Sequence, residues 1–325
     1  QLQIPEPDID LGVGSGSHAV QTAEIMKRFE PVLDEVKPKA VLVVGDVNST
    51  IACALVAVKK NIPVIHVEAG LRSGDRAMPE EINRVLTDQI SDLLFTTEKT
   101  AEPNLTNEGI GVGRIHFAGN VMIDTLLFNL DRAVSTEQTI EASPCPESSD
   151  FPYLSKGYGL VTLHRPSNVD EPIVLERLLK VLGQVSTELP LIFPVHPRTK
   201  NKIAEAGLEP LIANANVYCL PPLGYLEMLG VMKDAKLVLT DSGGIQEETT
   251  ALGVPCITLR ENTERPITVE EGTNTIVGSD PDKILACVSN TLETGGKSGM
   301  VPELWDGKAA ERIAKIISDW VKTLS

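Results

Sequence analysis

Lys236–Glu248 reads KLVLTDSGGIQEE, and the fold turns on how this stretch is read. A short apolar run, Leu237–Leu239, gives way to Thr240-Asp241-Ser242-Gly243-Gly244 and then to Ile245-Gln246-Glu247-Glu248. A buried parallel strand that opens into a helix has this form. The glycine pair lets backbone N–H groups approach an anion, and the helix N-terminus behind it favours negative charge. Glu248, further into the helix, can accept two hydrogen bonds from vicinal hydroxyls such as those of a ribose. The spacing points to a phosphate–sugar site; the competing reading is an ordinary strand–turn–helix corner.

The flanking sequence repeats the alternation. Apolar runs at Gly159–Thr162, Leu191–Val195, Val217–Leu220 and Cys256–Leu259 are separated by helical segments near 171–187, 199–206 and 225–232, and a last helix spans Lys308–Leu324. The first half has strands at Ala40–Val44, Val64–Val67 and Leu93–Thr96. Its helices span Ser17–Val36 and lie near 51–60, 80–90 and 100–108. Residues 5–17 are turn-rich with one short strand. This is the βαβ signature of parallel sheets, an α/β fold. Residues 133–153, rich in Ser, Glu and Pro, read as a loop into a domain boundary near 150. The expected domains are 1–152 and 153–307, followed by the helix 308–325.

Open α/β sheets gather ligands at the carboxyl ends of their strands. In the second half those ends carry His164-Arg165, His196-Pro197-Arg198, Asp241–Gly244, Arg260 and Glu264-Arg265-Pro266. One such group alone would be an ordinary loop residue; at consecutive strand ends they suit a diphosphate. In the first half the strand-end groups are acidic: Asp46, Glu68, Asp75 and Glu80-Glu81. Carboxylates of this kind are what acid–base chemistry on a sugar requires. Helix-start capping behind Pro79 explains one of Glu80 and Glu81. It does not explain Glu68, directly after a buried strand. Ser242 lacks the Gly-x-Ser-x-Gly setting of a nucleophile. The five histidines are far apart, with no His-x-x-x-His or Cys-x-x-Cys spacing, so no metal is expected.

The 325 residues, 42% hydrophobic and 23% charged, are ordinary for a two-domain globular protein. A formal net charge of −16 argues against nucleic acid and anionic membranes as partners. An anionic substrate must then be held by local cations against the overall field. No signal peptide or run of about 18 apolar residues is evident. The five scattered cysteines fit free thiols in a reducing cytosol, so a cytoplasmic protein is expected.

GDVNST (45–50), HVEAGLRSGDRAMPEEINRVLTDQISDLLFTTE (66–98), VTLHRPSNVD (161–170), PVHPRT (194–199) and LTDSGGIQEETTALGVPCITLRENTERPITVEEGT (239–273) resemble the non-hydrolysing UDP-N-acetylglucosamine 2-epimerases. The match runs in the family's order over nearly the whole chain. The resemblance implies two Rossmann-like domains of glycosyltransferase-B type with the active site in the interdomain cleft. It further implies a C-terminal helix packing back towards the first domain, a homodimer, no cofactor, and interconversion of UDP-GlcNAc and UDP-ManNAc. Carried over, the acid–base carboxylates fall on Asp46, Glu68 and Glu80, and the catalytic histidine on His164. Nucleotide contacts fall on Ser242, Gly243, Gly244, Glu248 and Arg265, with Leu223 and Met228 at the uracil. His196 and Arg198 complete the expected substrate contacts. Arg72 and Arg165 are candidates for phosphate or an activator.

The chain departs from the family pattern in two places. Ile267 follows Pro266 where Glu is common. The family's opening strand, ending in Gly-Thr-Arg-Pro-Glu with a nearby Lys, and a later Gln-His segment are not found. That strand lies mid-sheet in the family. The expectation is therefore a natural polypeptide longer at its N-terminus by about 40–50 residues, or else a first sheet with fewer strands and a gap beside Ala40–Val44. Competing functions are a UDP-sugar glycosyltransferase on the same fold, a hydrolysing epimerase, and a UDP-sugar-binding remnant.

Overall fold

The computed structural model describes residues 2, 4–143 and 157–324, so the boundary expected near residue 150 lies outside the described residues. The chain divides into two compact units, Gln3–Asp124 with Glu303–Ser325, and Gln1–Leu2 with Thr125–Pro302. The described residues 125–143 therefore pack with the second unit, where the sequence reading placed them in the first. The reason is apolar: Leu126 and Ile140 are buried with Tyr158, Leu229 and Met232 in one cluster. The backbone N–H of Val134 also donates to the Leu226 carbonyl at 3.1 Å.

The first unit has four parallel strands, β1 (Val41–Val44), β2 (Val64–Ala69), β3 (Leu93–Thr96) and β4 (Ile115–Phe117), in the order β1-β2-β3-β4. Helices His18–Val36 and Asn48–Lys59 close one face, where Leu33, Ala54, Val56 and Ala57 pack on Val41, Val43 and Val64. Against the other face, Ile313 of the final helix Ala309–Val321 meets Ile65, Val67, Leu93 and Phe95. Asp124 fixes that helix by accepting the N–H groups of Ala309 at 3.1 Å and Ala310 at 2.7 Å, a favourable place for a carboxylate. Residues 5–17 form no strand, contrary to the sequence reading. β1 is the sheet edge, and Leu42 and Val44 are each 48% exposed.

The second unit has six parallel strands: β5 (Gly159–Thr162), β6 (Leu191–Pro194), β7 (Val217–Leu220), β8 (Leu237–Thr240), β9 (Cys256–Thr258) and β10 (Asn274–Ile276). Their order is β10-β9-β8-β5-β6-β7. Successive residues serve opposite faces. Val161, Phe193 and Leu239 join one core cluster, and Leu160, Ile192 and Val238 the other. The strand order reverses between β5 and β8, and the crevice at such a switch is where open parallel sheets bind ligands. Among the described residues no helix is long and apolar enough to cross a membrane.

Candidate active site

In the first unit, Asp46 follows β1 across Gly45, whose φ of +70° suits glycine. Its Oδ2 accepts from Arg84 Nη1 at 3.0 Å, and its main-chain oxygen from Asn83 Nδ2 at 2.9 Å. Arg84 is buried and also pairs with Glu81 at 3.1 Å. Glu81 in turn accepts the N–H groups of Ser73 at 3.0 Å and Gly74 at 2.9 Å. Of the two helix-start carboxylates, Glu81 thus has the structural task. Glu80, in the first turn of helix Pro79–Ile90, is only half-buried.

Glu68 sits at φ +74°, where the pairing of β2 with β3 slips between Val67 and Ala69. A left-handed non-glycine residue is strained by about 1–3 kcal/mol, and a bulge re-aims its side chain. Neighbours hold the strain: Gly45 N–H donates to Val67 O at 3.0 Å, and Gly70 N–H to Asp88 Oδ2 at 3.1 Å. Glu68 Oε2 lies 3.6 Å from where a Cβ on Gly45 would stand, so its carboxylate faces the turn that leads into Asp46.

Arg72 does not fit the expected phosphate role. Its Nε and Nη2 donate to the two oxygens of Glu108 at 2.8 and 2.7 Å, and Nη2 also reaches Asp88 Oδ2 at 2.7 Å. Two carboxylates draw it inward, and it braces the loop after β2.

In the second unit, the fully buried Asp241 organises the switch point. It accepts the backbone N–H of His164 at 3.1 Å, that of Arg165 at 2.9 Å and Asn168 Nδ2 at 3.2 Å. His164 Nδ1 lies 3.2 Å from the same carboxylate, and the His164 and His196 ring centroids are 5.7 Å apart. Burial lowers the His164 pKa; Asp241 opposes this, and the charges of Arg165, His196 and Arg260 reinforce it. The imidazole is accordingly neutral at pH 7. His196 caps helix Pro197–Ala206 by accepting Arg198 N–H at 3.2 Å. The Arg198 guanidinium is exposed and turned to Asp170, with Nε donating to Oδ1 at 2.8 Å. Its expected substrate role would require it to leave that carboxylate.

Ser242, Gly243 and Gly244 open helix Gly243–Leu252. A Cβ on Gly243 would stand 2.5 Å from Glu264 Oε1, so a larger residue there would push that carboxylate aside. Glu264 lies 2.9 Å from Arg260 and 3.6 Å from Arg165. Burial pushes its pKa up, but the charges of Arg265 and Arg260 outweigh this and hold it at about 2. Arg265, also buried, pairs with Glu247 at 2.9 Å. Burial pushes Glu248 up to about 7, and the Tyr225 hydroxyl donates to it at 3.0 Å. Leu223, Tyr225 and Met228, all partly buried, pack against the core cluster that holds Leu126 and Ile140.

The sequence reading missed Arg84 and Asp88 as functional positions, and named Asp241 and Arg260 at strand ends without carrying them into the site. Arg260 Nη1 is buried with no hydrogen-bond partner among the described residues, as suits a group awaiting an anion. Signals existed. Glu81, Arg84 and Asp88 recur at i, i+3 and i+7 on one helix face, a charged stripe where a core face was due. No group of three or more His, Cys, Asp or Glu side chains among the described residues is placed to hold a metal ion.

A family model described as UDP-N-acetylglucosamine 2-epimerase matches residues 1–318. The UDP-N-acetylglucosamine 2-epimerase of Methanococcus maripaludis is 46% identical over 297 residues, covering 90% of this chain and 80% of that protein. The UDP-2,3-diacetamido-2,3-dideoxy-D-glucuronate 2-epimerase of Pseudomonas aeruginosa is 39% identical over 322 residues, covering 98% and 85%. The crystal structure of Methanocaldococcus jannaschii UDP-GlcNAc 2-epimerase in complex with UDP-GlcNAc and UDP matches with a TM-score of 0.84 at 42% identity. That match covers 97% of this chain and 85% of that one.

Proposed function

We propose that this chain, which belongs to the UDP-N-acetylglucosamine 2-epimerase family, interconverts UDP-GlcNAc and UDP-ManNAc. Carbon 2 of the sugar bears an acetamido nitrogen and no adjacent carbonyl, so its proton is not acidic. Departure of UDP from carbon 1 develops an oxocarbenium, which acidifies the neighbouring C–H. Loss of that proton gives 2-acetamidoglucal. Return of UDP to carbon 1 and of a proton to the other face of carbon 2 gives the epimer.

The first unit supplies the acid–base groups Asp46, Glu68 and Glu80, several carboxylates because the proton leaves one face and returns to the other. The second unit holds the nucleotide. The N–H groups at Ser242–Gly244 and the cations Arg165, Arg260 and Arg265 take the diphosphate, Glu248 the ribose hydroxyls, and Leu223 and Met228 the uracil. His164, whose Nδ1–H is tethered to Asp241, keeps Nε2 for the leaving group and can donate to it only as the imidazolium that the charge of a bound diphosphate favours. Such stabilisation of a leaving anion is typically worth several kcal/mol when desolvated. The observation that carries the reading is Glu68, a carboxylate held in a strained bulge facing the Asp46 turn. A cytoplasmic homodimer completes the proposal.

Proton NMR of UDP-GlcNAc with the protein in deuterated water tests it. The expected outcome is UDP-ManNAc bearing one solvent deuterium at carbon 2. Product without label at carbon 2 would refute the elimination. Release of UDP with free ManNAc would make the protein a hydrolase, and turnover only with an added acceptor a transferase. Turnover of UDP-2,3-diacetamido-2,3-dideoxy-D-glucuronate alone would move the substrate to that of the Pseudomonas relative.

A further inference from the structure

His66 and Asp88 take no part as acid or base in the reaction above, yet both are fully buried beside the groups that do. His66 lies on β2 two residues before Glu68. Its Nδ1 is 2.6 Å from Asp88 Oδ1, and its Nε2 is 2.8 Å from the main-chain oxygen of Gly45. A carbonyl oxygen can only accept, so Nε2 carries a proton. A second proton lies between Nδ1 and Asp88. The other oxygen of Asp88 accepts Gly70 N–H at 3.1 Å and faces Arg72 Nη2 at 2.7 Å, and both favour the ionised carboxylate. That second proton therefore belongs to the nitrogen, and His66 is an imidazolium. Burial opposes its charge, but Asp88, the Gly45 carbonyl and Glu68 together outweigh burial and raise its pKa.

The pair brackets the reacting carboxylates. His66 and Gly70, on either side of the strained Glu68, are tied to one Asp88 side chain, while the second ring nitrogen of His66 grips the left-handed turn into Asp46. We propose that His66, an imidazolium anchored on Asp88 and gripping the Gly45 carbonyl through Nε2, is a positioning residue that fixes Asp46 and Glu68 in their reactive orientation, the Gly45 bond carrying most of the effect. It rests on reading those two residues as acid–base groups.

Two substitutions separate the bonds His66 makes. His66→Gln can place an amide N–H near the position of Nε2 and keep the grip on Gly45, whereas His66→Asn retains only the Asp88 side. In deuterated water, His66→Asn is expected to lower kcat by on the order of 10²-fold, the scale of a misplacement of about 1 Å. His66→Gln should recover at least about tenfold of that loss. KM for UDP-GlcNAc should stay within about twofold in both. A kcat for His66→Asn within about threefold of the parent, no recovery in His66→Gln, or a loss confined to KM would overturn the proposal. A nitrogen-15 histidine spectrum of the unsubstituted protein serves even where the variants do not fold. Both ring nitrogens of His66 should be protonated at neutral pH; a neutral ring would overturn the proposal. Asp46→Asn and Glu68→Gln tell the two failures apart. If they too keep full kcat, the acid–base reading has failed; if they lose it while His66→Asn does not, only the positioning role has.

Discussion

At the ends of β1 and β2 the proposed working groups are carboxylates, Asp46 paired with buried Arg84 and buried His66 beside the turn into it, whereas at the ends of β5 and β8 they are cations and N–H groups held by buried carboxylates. Asp241 gathers the backbone of His164 and Arg165, and Glu264 gathers Arg260 and Arg265. An unpaired buried ion is costly, so a charged strand end keeps a fixed geometry only where a buried group of opposite sign sets it.

Asp241→Ala is the strongest way to break the comparison. It leaves the N–H groups of His164 and Arg165 and the Asn168 amide short of a partner, and should lower the unfolding free energy by about 3–5 kcal/mol, read by urea denaturation. A loss below about 1 kcal/mol would mean that the second sheet does not depend on its buried carboxylate.

Two glutamates of the second unit sharpen it, because they titrate in opposite senses. Glu248, raised to about 7, binds its proton more tightly in the folded chain than at the ordinary 4.5. Its stabilising contribution is present below pH 4.5 and lost as the pH rises through about 7, on the order of 3 kcal/mol. Glu264, held at about 2, contributes above pH 4.5 and loses that contribution as the pH falls through about 2. Glu248→Gln should therefore flatten the stability curve between about pH 4.5 and 7 and spare the acid limb. Urea unfolding across that range measures this, and an unchanged slope counts against the burial of Glu248 as its cause.

The smallest effect is expected in the first sheet. Glu68→Gln and Glu80→Gln should each lower kcat by about 10²-fold, or roughly 2.7 kcal/mol. UDP affinity, measured by calorimetry, should change little. Near-normal turnover in both would remove the carboxylate row from the chemistry and leave the second sheet as the only working half.

Much of the scaffold was legible because strands buried on both faces are continuous apolar runs bounded by turn residues. Leu93–Thr96, Gly159–Thr162 and Val217–Leu220 were read to the residue. β4 and β10 escaped: each is three residues long, and Ile115-His116-Phe117 and Asn274-Thr275-Ile276 give too little pattern to separate from loop. Helix Pro281–Thr294 also escaped, although Asp280 caps its start and Gly295 its end, since its buried positions Ile284, Val288 and Thr291 are sparse.

By itself, the sequence determined the alternation of strand and helix and the strand-end addresses of Asp46, Glu68, His164 and Ser242–Gly244. Those follow from local periodicity and from the rule that parallel sheets present their carboxyl ends to ligands. Only the tertiary structure decided what each charge does. It gave Arg72 to Glu108 and Asp88, and Arg198 to Asp170. It also made Asp241, 77 residues from His164, and Arg84, 38 residues from Asp46, the groups that fix the site. The physical reason is range. Periodicity is written within a few residues of the chain, but the role of a charge depends on its burial and on which opposite charge lies within about 4 Å, and packing alone decides that.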